Sequence, residues 1–152
     1  MTTDRRFKRP ESVLVVIYTR SRECLLLERM QPPGFWQSVT GSLRWDETPA
    51  ECAAREVREE TGLPTDGLLD ARRERVFAIM PSFRHRYGPG VEVNLEHLWY
   101  LERPTIEPVR LAPSEHATFE WLPIDAAIAR VSSWTNREAL ENLDQWAASR
   151  SA

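Results

Sequence analysis

Residues 41–63 read GSLRWDETPAECAAREVREETGL, and this stretch decides how the rest of the chain is read. It passes from a loop carrying a glycine and a carboxylate into a glutamate-dense segment that stops at a second glycine. Thr48 suits a helix N-cap, Pro49 the first helical position, and Glu51, three residues after the cap, completes a capping box. Gly62 supplies the C-terminal stop with Pro64 beyond it, so the spacing predicts a helix over 49–61. On such a helix residues three and four apart share a face, which lets Glu56, Glu59 and Glu60 converge on one point. The carboxylates repel one another unless a cation sits among them. The opposite stripe, Ala50, Ala53, Ala54 and Val57, is small and aliphatic, suited to close packing on a sheet. Arg55 is placed to pair with Glu59 at i,i+4 or to reach back to Glu47, orienting carboxylates. Oxygen-only ligands favour the hard ions Mg²⁺ or Mn²⁺, which also coordinate phosphate oxygens. Two such ions roughly 3.5 to 4 Å apart clamp a phosphate and lower the pKa of an attacking water.

The flanking segments supply a sheet. Residues 12–18 (SVLVVIY) and 24–27 (CLLL) are β-branched and aliphatic runs separated by polar TRSRE, and they read as two buried strands. Pro10 cannot donate to a ladder and marks the start of the first strand, which places Lys8 and Arg9 at a strand end. After Arg29, the residues Pro32, Pro33 and Gly34 break regular structure, and 35–40 (FWQSVT) form a short strand leading into Gly41. Further strands are expected over 75–80 (RVFAIM), 97–101 (HLWYL) and 119–122 (FEWL). The long polar segment 81–96 joins the first two of these, and loops of that length often serve as lids or binding loops. Pro123 opens a helix through about Val131, and a last amphipathic helix spans roughly residues 136–148.

A chain of 152 residues suits one domain, 1–152, with a real core. No apolar run approaches the roughly 18 residues of a membrane span, and the polar, basic N-terminus has no apolar segment of the secretory kind. The expectation is a cytoplasmic protein without membrane contact. A formal net charge of −3 excludes a general basic field for polymeric nucleic acid. Cys24 and Cys52 lack CxxC spacing and read as reduced core thiols. No exposed apolar stripe or heptad is readable, so the oligomeric state stays open, with a monomer slightly favoured.

Gly41, Glu47, Arg55, Glu56, Val57, Glu59, Glu60, Gly62 and Leu63 match every fixed position of the pattern Gx5Ex7REUxEExGU, where U is a bulky aliphatic. The chain thereby resembles the Nudix family. A narrower resemblance covers most of the chain. It rests on Lys8-Arg9-Pro10, on residues 35–42 (FWQSVTGS), on Arg84-His85-Arg86-Tyr87 with Pro89-Gly90, on Glu115-His116 ahead of Trp121-Leu122, and on Ser133-Trp134 with Asn136-Arg137. In these the chain is similar to the bacterial dihydroneopterin triphosphate pyrophosphohydrolases of folate synthesis.

The resemblance implies an α/β/α sandwich with a mixed central sheet, an α/β fold. It assigns metal ligation to Glu56 and Glu60, with Glu115 completing the site, and leaves Glu59 as either a further ligand or the group that deprotonates water. Arg55 belongs to the same catalytic set. Lys8, Arg29, Thr40, Phe77, Ala78, Ile79, Met80 and Thr135 are implied to line the substrate site, Lys8 and Arg29 against the triphosphate and the apolar strand edge against the pterin. Three places depart from the family pattern: Thr135 stands for a serine, residues 43–46 (LRWD) are less acidic than usual, and Ala78 and Met80 replace larger or more polar residues. His85 is either a phosphate or acid–base group or a loop-packing residue. Trp36 and Trp134 flank site segments and are candidates to stack on a ring.

The expected activity is Mg²⁺-dependent hydrolysis of dihydroneopterin triphosphate, a small-molecule substrate, to the monophosphate and pyrophosphate. The alternatives are a Nudix pyrophosphohydrolase acting on dATP or modified nucleotides, and a catalytically silent nucleotide-binding module. The intact glutamate set speaks against the last.

Overall fold

The computed structural model describes residues 4–151; residues 1–3 of the polar N-terminal stretch and residue 152 lie outside the described residues. Strands β1 (Glu11–Thr19) and β2 (Glu23–Arg29) form where the aliphatic runs predict them. They pair antiparallel at Tyr18 and Cys24 and then diverge. Two short strands occupy the divergence. β3 (Trp36–Gln37) pairs with β2, and β4 (Val39–Ser42) pairs with β1. The single strand expected over 35–40 is therefore split at Ser38. The physical reason is distant in sequence: the Ser38 backbone N–H donates to Asn136 Oδ1 (2.7 Å) and the Asn136 amide donates to Ser38 Oγ (2.9 Å), taking Ser38 out of either ladder.

Strand β5 (Leu69–Ala78) begins six residues before the expected start at Arg75 and ends two before Met80. Ile79 and Met80 thus lie beyond the end of the strand. β6 (Val93–Arg103) likewise extends the expected 97–101 in both directions, and a 3-10 helix (Pro81–Arg86) shortens the loop between them. β7 (His116–Pro123) pairs with β2. The path β3-β2-β1-β6-β5 is mixed, since β1 and β6 run parallel over nine paired positions while the other pairings are antiparallel.

Helices cover both faces. α1 (Pro49–Thr61) has both hydrogen bonds of the Thr48/Glu51 capping box and a left-handed Gly62 at its end. Its Cys52, Ala53 and Val57 are fully buried against Val13, Val15 and Ile17 of β1 and Leu25 and Leu27 of β2. Ala50, in the first turn, is exposed rather than part of that stripe. The opposite face, Leu14, Val16, Leu26, Leu98 and Tyr100, packs on α2 (Ile124–Arg130), α3 (Trp134–Glu141) and α4 (Leu143–Ser151). The result is the expected α/β/α sandwich. The single last helix expected over 136–148 is two, parted at Asn142, whose side-chain amide donates to the Glu138 carbonyl (2.8 Å) and caps α3. Among the described residues no helix is long and apolar enough to cross a membrane, and Cys24 and Cys52 are free and buried.

Candidate active site

The capped α1 fixes its glutamates against β4. A Cβ built on Gly41 would lie 2.2 to 2.6 Å from the Glu56 carboxyl atoms, so glycine is the residue that lets this carboxyl reach the sheet. Arg55 holds the arrangement. Its Nε and Nη2 grip both Glu47 oxygens at 2.7 Å, its Nη1 donates to Glu56 (2.6 Å) and Glu59 (3.2 Å), and Nη2 also reaches the Ser42 carbonyl (3.2 Å). The bidentate guanidinium holds the Glu47 carboxyl down at about 2. Arg9 in turn donates to the carbonyls of Arg44, Trp45 and Glu47, tying the loop before α1 to the start of β1.

The three box glutamates do not all converge. Glu56 and Glu60 are buried, whereas the Glu59 side chain is half exposed and pairs with Arg55 and Arg44. Burial raises the Glu56 carboxyl above its ordinary pKa, and burial together with the Glu56 charge raises Glu60 well above it. Glu60 Oε1 lies 3.4 Å from His116 Nε2. Burial, and secondarily Arg29, lowers His116 to about 4, so it is a neutral imidazole.

A cavity of about 800 Å³ collects most of the residues singled out from the sequence. α1 contributes Glu56 and Glu60, and the turn before β7 contributes Glu115. Lys8, Arg29 and Thr40 line it, as do Phe77, Ala78, Ile79 and Met80, with Thr135 from the first turn of α3. Arg55 and Glu59 do not line it; Arg55 acts from behind Glu56. His85 is exposed and lines a second cavity beside Gly88 and Gly90, and Trp36 lies under the Arg130 guanidinium (4.9 Å) instead of at the site. Trp134 does line the cavity and is half exposed.

Several lining residues were not singled out. Arg86 is one: burial, and after it the Arg86 charge, lowers the pKa of both Lys8 and Arg29, so three cations crowd one wall. The Lys8 backbone N–H donates to the Arg86 carbonyl (2.8 Å), which brings the N-terminal segment to the 3-10 helix. Others among them are His116, Asn94 and Glu96. A signal for the last two was present in NLEHLWYL, where polar residues two apart open one face of an otherwise apolar strand.

The donor set suits a divalent cation. One ligand atom each from Glu60, Glu115 and His116 lie within 4.8 Å of one another. Glu60 Oε2 and His116 Nδ1 are buried without a hydrogen-bond partner among the described residues. Buried, mutually repelling carboxyls beside unpaired ligand atoms are relieved by a positive charge of that kind.

A capped glutamate helix packed on the sheet, with an acid-lined and cation-lined cavity beside it, defines a phosphoanhydride site. The NUDIX domain family matches residues 8–143, and the chain belongs to the Nudix hydrolase family. Members of that family generally depend on a divalent metal and act on small-molecule nucleotide substrates, in keeping with the acidic cluster. Among its relatives is the dihydroneopterin triphosphate diphosphatase of Escherichia coli K12, 41% identical over 143 residues that cover 91% of this chain and 94% of that one. The enzyme of the same description from Haemophilus influenzae is 39% identical over 140 residues, covering 89% and 87%. The solved structure of the E. coli dihydroneopterin triphosphate pyrophosphohydrolase superposes with a TM-score of 0.84 over 90% of this chain and 95% of that one.

Proposed function

We propose that the chain, acting as one domain, hydrolyses dihydroneopterin triphosphate to dihydroneopterin monophosphate and pyrophosphate with Mg²⁺ as its metal, Mn²⁺ being a substitute. The observation that carries this reading is one cavity in which a buried acidic pair faces three crowded cations, in a chain about two-fifths identical to enzymes of that activity. Water attacks the α-phosphorus, the bond from that phosphorus to the oxygen bridging to the β-phosphate breaks, and pyrophosphate leaves with that oxygen.

The residues divide the work. Lys8, Arg29 and Arg86 bind the triphosphate, whose charge relieves their mutual repulsion. Glu56, Glu60 and Glu115 would hold the metal, with His116 beside them; when bound, it offsets charge on the phosphates and acidifies the attacking water. Arg55 positions Glu56 through the bond at 2.6 Å and is itself fixed by Glu47. The apolar stretch from Phe77 to Met80 takes the ring, and Thr40 and Thr135 supply hydroxyls at the cavity wall.

A panel of dihydroneopterin triphosphate, dATP and dGTP with Mg²⁺, scored by product identity, tests the assignment. The expected result is monophosphate plus pyrophosphate, with the highest kcat/KM for the pterin. A preference for dATP above about tenfold, roughly 1.4 kcal/mol in transition-state binding, would reverse it.

A further inference from the structure

The substrate cavity holds a polar pair that the phosphate chemistry does not use. Asn94 and Glu96 sit two apart on β6, so both point to the same face of the sheet. Both line the cavity although they are only 1% and 5% exposed. The Asn94 amide nitrogen donates to Ser12 Oγ (2.8 Å), which leaves its carbonyl oxygen buried and without a partner among the described residues. Glu96 faces the Thr135 hydroxyl but has no ion pair among the described residues, for the nearby Arg75 is bound to Glu138 of α3 instead. A buried carboxyl without an ion pair and a buried carbonyl without a donor both cost stability. Two such groups side by side on the wall of a ligand cavity mark acceptors kept for a ligand. Phe77 of β5 is the cross-strand partner of Asn94 and lines the same cavity, offering a flat apolar surface beside them.

We propose that Glu96 and Asn94 form the ring-recognition subsite, accepting hydrogen bonds from the adjacent N–H and NH₂ donors of a 2-amino-4-oxo-pyrimidine edge. That edge is shared by dihydropterin and guanine; adenine presents one donor beside an acceptor and cannot satisfy both groups. The subsite would thus select the ring, a choice that the glutamates of α1 have no means to make. It rests on the proposed reaction for its phosphate half, though the ring class follows from the acceptors alone. Burial raises the Glu96 carboxyl to about 7, and a ligand donor on it would favour its ionised form.

The test uses Glu96→Gln, which keeps the volume but turns one acceptor into a donor. The ratio of kcat/KM for dihydroneopterin triphosphate over dATP should fall at least about tenfold, and the ratio for dGTP over dATP should fall with it. Neopterin without phosphates should bind the variant at least about tenfold more weakly by calorimetry. A purely structural role for Glu96 would lower turnover of all three substrates alike and leave both ratios in place, which overturns the proposal. Should the variant not fold, competition on the unmodified protein decides. Deoxyguanosine, and not deoxyadenosine, should displace neopterin, and equal displacement by deoxyadenosine overturns the proposal. If dGTP outruns the pterin triphosphate while both ratios still depend on Glu96, the reaction assigned above fails and the subsite stands.

Discussion

Glu56 and Glu60 are buried one helical turn apart, and Glu59 between them is turned out to Arg55 and Arg44. From this difference Glu60→Gln is expected to lower kcat at least about 100-fold with the fold retained, and Glu59→Gln to lower it less. Comparable losses in the two variants would contradict the division of roles. Two other carboxyls should show opposite pH behaviour. Glu47 sits at about 2 against an ordinary 4.5, so its contribution to stability is complete above about pH 4.5 and is lost as pH falls through about 2. Glu96 is the reverse. Burial raises it to about 7, partly offset by the Thr135 hydroxyl and by Arg75 and His97, so folding favours its protonated form. Its contribution is complete below about pH 4.5 and declines as pH rises through about 7, on the order of 3 kcal/mol in all. Glu96→Gln cannot ionise and should lose less stability than the parent between about pH 5 and about pH 8. Urea midpoints at the two pH values check this, and parallel losses would refute it.

At the scale of the element, α1 and β4 act as one unit. The helix was legible to its last residue because its caps are local in sequence, and both bonds of the capping box are present. Gly41 was legible as a fixed position, but its reason lies across the α1–β4 contact. Gly41→Ala would drive a methyl into the Glu56 carboxyl, which Arg55 holds in place, so turnover should fall sharply while the melting temperature changes little. Full activity in Gly41→Ala would show that Glu56 can move aside freely. Strand β5 was half missed for an equally physical reason. Its first six residues, LDARRE, are largely exposed and charged, and an edge strand facing water carries no apolar alternation. A register shift between Asp70 and Glu74, with Arg72 at φ 55°, disguised it further.

Across the whole molecule, the C-terminal helices close the cavity by gripping the split in the sheet. Fully buried Asn136 bonds both the N–H and the hydroxyl of Ser38, and Ser132 exchanges two bonds with the backbone of Trp36. Asn136→Ala would leave the Ser38 N–H buried and unpaired, at a cost of about 2 to 3 kcal/mol. It should also loosen Thr135 at the cavity wall. The expected readout is a lower urea midpoint together with a raised KM, and a midpoint equal to that of the parent would remove Asn136 as the fastener.

The sequence by itself determined the elements whose signals are local: the aliphatic runs of β1 and β2, the caps of α1, and the spacing that puts Arg55, Glu56 and Glu60 on one helix. Through a motif and a set of matching segments it also determined the family. Only the tertiary structure decided that Ser38 interrupts a strand, that Glu59 turns away while Glu60 is buried, and that Asn94 and Glu96 share the cavity with Lys8 and Arg29. Each of those outcomes depends on contacts between residues far apart in the chain. A carboxyl becomes buried or exposed, paired or unpaired, through what the fold sets against it.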